Sequence, residues 1–140
     1  MKVALPKGIS KKVTNSQDAF NAIHPVLMRQ AKIRRKSEYY WVIGLDVSRD
    51  ILFIELIAIG VLNKVASDPV EVFCIAVRRK CKNLILVHNH TGRNKKPSEQ
   101  DIRHTKKLRE GGRLLGIDIL DHLIITEGSG YYSFADEGLL

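Results

Sequence analysis

The stretch "NLILVHNH", Asn83 to His90, constrains the fold more than any other part of the chain. Its apolar run is short, continuous and rich in branched residues. Such a run predicts a strand covered on both faces, because a strand with one wet face alternates apolar with polar side chains. The run passes directly into two histidines. "TGRNKKP" then leads to "SEQDIRHTKKLREGG", which reads as a helix stopped by Gly111-Gly112. Strand, loop and helix in that order predict an α/β domain with a buried central strand.

The flanking segments extend this reading. "SQDAFNAIHPVLMRQAKI" predicts a helix opening on Ser16 as its cap, with Pro25 kinking it or starting its second half. "EYYWVIGLDV" and "DILFIELIAIGVL" predict two strands joined by a hairpin turn at "SRD", residues 48–50. "DPVEVFCIAVRRK" predicts a helix capped by Asp68, with Pro69 at its first position and Val70, Phe73, Cys74 and Val77 as its apolar stripe. "GIDILDHLIIT" and "YYSF" predict the final strands. Without repeat, linker or low-complexity tract, the 140 residues read as a single domain, with an N-terminal helical segment over 1–36 and a core over 37–140.

Composition narrows the class. Hydrophobic residues make up 44% of the chain, well above a disordered composition. The apolar runs are too short to span a bilayer, and "MKVALPKGISKK" is interrupted by basic and polar residues too early for a secretory signal. A cytoplasmic protein is expected. Cys74 and Cys81, seven residues apart on or beside a helix, would lie about 10 Å apart at roughly 1.5 Å per residue. That exceeds the reach of a disulfide, so both are expected to be reduced. The net charge is +8, from 23 basic and 15 acidic residues. "RQAKIRRK" (29–36) and "RRKCK" (78–82) are basic runs, whereas the segment from Leu114 onward has five acids and no Lys or Arg. A basic surface suits nucleic acid or another polyanion; it also suits an ordinary solvated surface. "EYYWV" is the single aromatic cluster, and it reads as strand.

The chemistry concentrates at the end of the central strand. His88 and His90 are two residues apart, so on a strand their side chains share a face and can converge on one ion. Ser98 and Asp101 fall at the first turn of the next helix. Two neutral imidazoles and a carboxylate suit Zn²⁺ and leave the fourth tetrahedral position for water, the arrangement of catalytic rather than structural zinc. Each element has a plainer reading. Ser-x-x-Asp is an ordinary helix cap, His-x-His occurs in loops, and Asn89 can simply tie down backbone.

His88-x-His90-x₇-Ser98-x₂-Asp101 resembles the JAMM motif of JAB/MPN-type metalloproteases. The wider pattern resembles the bacterial RadC family through Leu86–His90, Pro97-Ser98, Asp101, Thr105, Leu108, Gly112–Ile117, Leu120–Ile125 and Tyr131–Leu140, and covers at least Glu38 to Leu140. The resemblance implies a curved mixed sheet with helices on both sides. It implies Zn²⁺ held by His88, His90 and Asp101, Glu55 as the general base, and Ser98 as a hydrogen-bond donor to the substrate carbonyl. Glu55 also stands out independently, as the only acid between Asp50 and Asp68 in an otherwise apolar strand, where an unused carboxylate costs free energy.

The implied activity is zinc-dependent hydrolysis of peptide or isopeptide bonds. The rival expectation is a DNA-associated accessory protein of this DNA-repair-labelled family, binding through the basic runs 29–36 and 78–82. Family members usually read His-Asn-His-Pro-Ser-Gly, whereas this chain has "HNHTGR" followed by a basic "NKK". That change bears on loop shape and substrate preference, since the spacing to Ser98 is kept. An N-terminal helix-hairpin-helix region, frequent in longer relatives, is not expected in so short a leader. His104 reads as an outer-shell or exposed helix residue. Asp121 or His122 could orient a zinc ligand or form a buried structural pair. His24 has no expected chemistry.

Overall fold

The computed structural model describes residues 1–60 and 68–140. Within them a six-stranded sheet has the order β1-β3-β2-β4-β5-β6, made of β1 (Lys2–Val3), β2 (Glu38–Leu45), β3 (Ile51–Gly60), β4 (Asn83–Asn89), β5 (Asp118–Ile125) and β6 (Tyr131–Ser133). Strands β4 and β5 run parallel, and the other pairs are antiparallel. Three helices pack on it: α1 (Ser16–Met28), α2 (Pro69–Arg78) and α3 (Glu99–Leu115). A 3-10 turn at Arg34–Lys36 leads into β2. This is the expected mixed α/β sheet, with the two-residue β1 as an unanticipated edge. Register shifts at Tyr40/Trp41, Gly44/Leu45 and Leu84/Ile85 mark the places where the strands bend. No helix among the described residues is long and apolar enough to cross a membrane.

The central strands are apolar throughout because both faces are covered. Trp41, Ile43, Leu45, Ile85 and Val87 meet Phe20, Ile23, Val26 and Leu27 of α1. The alternate residues Tyr40, Val42, Leu84 and Leu86 meet Val72, Phe73 and Ala76 of α2 and Leu108 of α3. His88, two residues beyond Leu86, therefore belongs to the α2/α3 face. Asn89 belongs to the other face, where its side chain accepts from Tyr39 N at 2.7 Å and donates to the Ser37 carbonyl at 3.0 Å. It ties down backbone, leaving its two histidine neighbours to the chemistry.

Three local expectations need correction. Helix α1 ends at Met28 rather than continuing to Ile33, and its cap is Asn15, whose side chain accepts from Asp18 N at 2.8 Å. Ser16 is the first helical residue, with its hydroxyl bonded to Tyr131 and Asp136 instead. The other two corrections fall on the two helices that cover the opposite face. In α2 the buried residues are Val72, Phe73 and Ala76, whereas Cys74 is exposed and Val70 and Val77 are 70% and 58% exposed. In α3 the helix runs through Gly111-Gly112 to Leu115 and stops at Gly116, whose φ of 71° is the left-handed capping conformation. The inward face of α2 is the one that places Phe73 in the cluster with Leu108 of α3 and Leu84 and Leu86 of β4. In α3 the close approach is at Gly112, where a Cβ would stand 2.4 Å from the Ile117 carbonyl oxygen; the Phe73 ring lies 3.4 Å from a Cβ at either glycine, an ordinary contact distance. Burying a ring of this size contributes about 1.5–3 kcal/mol. The Asp68 cap is as expected, accepting from Val70 N at 3.0 Å. The hairpin turn is held by Asp46, whose carboxylate accepts from Ser48 N and Asp50 N. The end of the second strand segment, Val61-Leu62, lies outside the described residues.

Candidate metal centre

Strand β4 delivers His88 to its buried end, and His90 follows as the chain leaves the sheet. The His90 amide donates to the Ile125 carbonyl at 2.9 Å, which fixes it against the end of β5. Helix α3 delivers Asp101 through a capping box. Ser98 Oγ accepts from Asp101 N at 3.0 Å, and Asp101 Oδ2 accepts from Ser98 N at 2.9 Å. The ordinary helix cap and the candidate ligand site thus coexist in the same two residues.

The three ligand candidates converge. His88 Nε2 and His90 Nε2 are 3.1 Å apart, and Asp101 Oδ2 lies 3.6 Å from the first and 3.5 Å from the second. Four ligands at zinc's usual bond lengths sit at tetrahedron corners about 3.3 Å apart. The observed triangle is thus one face of a zinc-sized tetrahedron, with its fourth corner unclaimed by the cluster.

Hydrogen bonding fixes which nitrogen of each imidazole is bare. Thr105 Oγ1 donates its one proton to the Asp101 carbonyl at 2.8 Å, so toward His122 Nδ1, 2.6 Å away, it can only accept. His122 Nδ1 therefore carries a proton. Burial holds His122 well below its ordinary value, so the ring is neutral and its Nε2 accepts from His88 Nδ1 at 2.7 Å. His88, also lowered by burial, is then left with an unprotonated Nε2 facing the cluster. His90 Nδ1 donates to the Asn94 carbonyl at 2.8 Å, which leaves its Nε2 facing the same point. Two nitrogen lone pairs and a carboxylate oxygen pointed at one another repel unless a cation joins them.

The electrostatics follow from that arrangement. Burial opposes the charge on Asp101, but the imidazoles of His88 and His90 outweigh it and hold the carboxyl far below the usual carboxylate range. Burial likewise opposes a charged His90, and the Asp101 carboxylate with the Asn94 carbonyl outweighs it, raising the group above its ordinary value. A proton can thus serve as the bridging cation. The donor set equally fits a divalent metal that prefers nitrogen and carboxylate ligands, zinc foremost.

The other expected residues fall in distinct places. Glu55 pairs with Val42 of β2, which in turn pairs with Leu86 of β4. It therefore shares the sheet face of His88, two strands away and two residues short of its level. The fold does not bring it into the His–Asp cluster; its Oε1 accepts from the Met1 ammonium at 2.7 Å. His104 lies edge-on to Tyr40, with ring centroids 6.2 Å apart, and outside the ligand set. His24 stacks on Phe20 and bonds the Thr126 carbonyl, a packing role. Asp121 and His122 divide the two roles left open for them. His122 orients a ligand candidate, whereas Asp121 braces the chain terminus by accepting from Ser133, Ala135 and its neighbour's amide. Thr105 was visible in the sequence only as part of a family pattern. Its signal is position, four residues after Asp101 and hence one turn along the same helix face.

Comparison with known proteins agrees with this architecture. A family model described as RadC-like JAB domain matches residues 13–139. A UPF0758 protein of Methanosarcina mazei is 40% identical over 130 residues, covering 93% of this chain and 54% of that protein. Similar proteins of Caldanaerobacter subterraneus and Aquifex aeolicus are 39% and 35% identical over 135 and 128 residues. The chain spans about half the length of the relatives it matches, 56% and 52% in these two cases.

Proposed function

The chain belongs to the RadC-like JAB domain family, and from that premise we propose that it is a zinc-dependent hydrolase of amide bonds, peptide or isopeptide. One observation carries the reading. Three convergent ligand atoms, His88 Nε2, His90 Nε2 and Asp101 Oδ2, form one face of a zinc-sized tetrahedron, and among the described residues no further ligand joins the cluster.

A bound Zn²⁺ would supply Lewis acidity at that corner, bringing the pKa of water from about 15.7 toward 7. The protein's own groups do the rest. His122 and Thr105 hold His88 in the ligating tautomer, and the Asn94 carbonyl does the same for His90. Ser98 accepts a hydrogen bond from Asp101 N, so its own hydroxyl proton is free to donate to a carbonyl oxygen as negative charge gathers there. Glu55, on the same sheet face, is the proposed base that takes the proton from the attacking water and returns it to the leaving amine.

Favouring this reading over the DNA-associated alternative, several basic-run residues have internal partners. Arg29 bonds the Ala4 carbonyl, Arg35 bonds Gln30 and Glu127, and Arg79 lies 5.4 Å over the Phe53 ring.

The test combines zinc analysis with a peptide and isopeptide cleavage panel. Protein purified without chelator should carry stoichiometric zinc, and His88→Ala should carry none. Glu55→Gln should keep the zinc and lose about 10²–10⁴-fold in cleavage rate. Wild type that takes up no added Zn²⁺ would refute the reading.

A further inference from the structure

A cavity of about 650 Å³ is bordered by the loop that follows His90. That volume lies within the range of small-molecule and peptide side-chain sites. One wall is the loop after His90, with Thr91, Arg93 and Lys95. The other is the loop after β5, with Thr126, Glu127 and Gly130. Both walls spring from the paired ends of β4 and β5, where the His90 amide bonds the Ile125 carbonyl. The loop that forms the first wall also anchors a ligand candidate, since the Asn94 carbonyl between Arg93 and Lys95 bonds His90 Nδ1.

The cavity's charge is one-sided. Its single carboxylate, Glu127, is paired with Arg35 at 3.0 Å. Among the described residues no carboxylate pairs with Arg93 or Lys95. Lys95 stretches across to the opposite wall, where its ammonium occupies the space that a Cβ at position 130 would fill; Gly130 leaves that seat open. The cavity thus presents two uncompensated cations, the hydroxyls of Thr91 and Ser129, and a glycine-rich wall with accessible backbone. Such a lining suits a carboxylate.

We propose that this cavity is a substrate subsite for an acidic residue, its carboxylate held by Arg93 and Lys95 next to the scissile amide. The assignment rests on the amide-hydrolase reading and gives its substrate a chemical character. It also gives the basic loop that replaces the family's usual Pro-Ser-Gly a function, which is to select acidic sequence near the cleaved bond.

Binding can be read without turnover. The zinc-loaded full chain is titrated into fluorescein-labelled Ala-Ala-Glu-Glu-Ala-Ala and into its Gln-Gln twin at low salt, with anisotropy as the signal. The acidic peptide should bind about tenfold tighter, from two partly exposed charge contacts at roughly threefold each. Arg93→Gln/Lys95→Gln should abolish that preference while zinc affinity stays within about threefold of wild type. Reversing the cluster at Arg78, Lys80 and Lys82 should leave the preference intact. Equal binding of the two peptides would overturn the proposal, as would a preference that survives the double substitution. It would also fall if a single-stranded oligonucleotide displaced the acidic peptide and lost its own affinity in the same double variant, since the cavity would then be a phosphate site. A protein that discriminates the peptides but cleaves none refutes the hydrolase reading alone. One that cleaves without discriminating refutes the subsite alone.

Discussion

Two buried polar clusters meet β5 at consecutive residues, one at Asp121 and the other through His122, which bonds His88, and they differ in how their lone pairs are met. At Asp121 every carboxylate oxygen has a donor: His122 N at 2.7 Å and Ala135 N at 3.0 Å on one oxygen, and Ser133 Oγ at 2.6 Å on the other. At His88, His90 and Asp101 the outward hydrogen bonds are just as well made, yet three acceptor atoms are left facing one another. The first cluster is complete as protein and holds the C-terminal strand in place. The second is complete only with a cation in it. Burial and polarity alone do not separate structure from chemistry; the separation comes from asking where each proton sits.

That distinction is broken most directly at Asp101. Asp101→Asn keeps the shape but removes the anion and can turn an N–H donor toward the two imidazoles, so zinc measured by elemental analysis should fall from stoichiometric to background. Retention of zinc by this variant would mean that the convergence of lone pairs is not what holds the ion.

Thr105 sharpens the point from a distance. Thr105→Val removes the acceptor that fixes the His122 proton, and zinc affinity by chelator competition should weaken about 10–100-fold. Thr105→Ser, which restores the hydroxyl, should recover most of it. If Val and Ser behave alike, methyl packing matters and the proton wiring does not.

Proton release gives a smaller, graded readout. His90 is raised above its ordinary value of 6.5, so near that pH the ring carries a proton that zinc must displace. Zinc uptake in weakly buffered solution at or below that pH should release close to one proton from the ring, before water at the fourth corner ionises toward pH 7. Zinc affinity should rise as the pH passes the raised value. No release at or below that pH would place the displaced proton elsewhere.

Asp121→Asn should have the least effect. An amide can keep the backbone contacts, so zinc content should not change and stability should shift by about 1 kcal/mol or less. Burial raises the Asp121 carboxyl, so its contribution is most favourable at low pH and is lost as pH rises through the raised value. Urea melts should therefore show the variant gaining on wild type between acidic and neutral pH.

The candidate cluster was legible in the sequence because its rules are local. Two residues apart on a strand means one face, and Ser-x-x-Asp at a helix start means one turn, so His88, His90, Ser98 and Asp101 could be placed without knowing the fold. His122 could be singled out but not assigned. Its partner depends on the parallel register that sets it beside Leu86, and no local pattern fixes that register. The inward face of α2 was illegible for a different reason. Apolar residues occur all around that helix, so periodicity chose Val70 and Val77, whereas packing against Leu108 of α3, distant in sequence, takes the side bearing Phe73. Gly112 read as a helix stop because a close backbone approach, here of the Ile117 carbonyl, and a helix end leave the same trace in sequence.

The capping box at Ser98 and Asp101 has a consequence beyond positioning. One oxygen, Asp101 Oδ2, both receives the Ser98 amide and faces the imidazoles. Fraying of the first turn of α3 and release of a cation bound there would therefore be linked events. A ligand that binds only the closed turn lowers the open population by a factor of one plus the ratio of free ligand to dissociation constant. Hydrogen–deuterium exchange at the Ser98 and Asp101 amides becomes a gauge of occupancy, readable without turnover of any substrate.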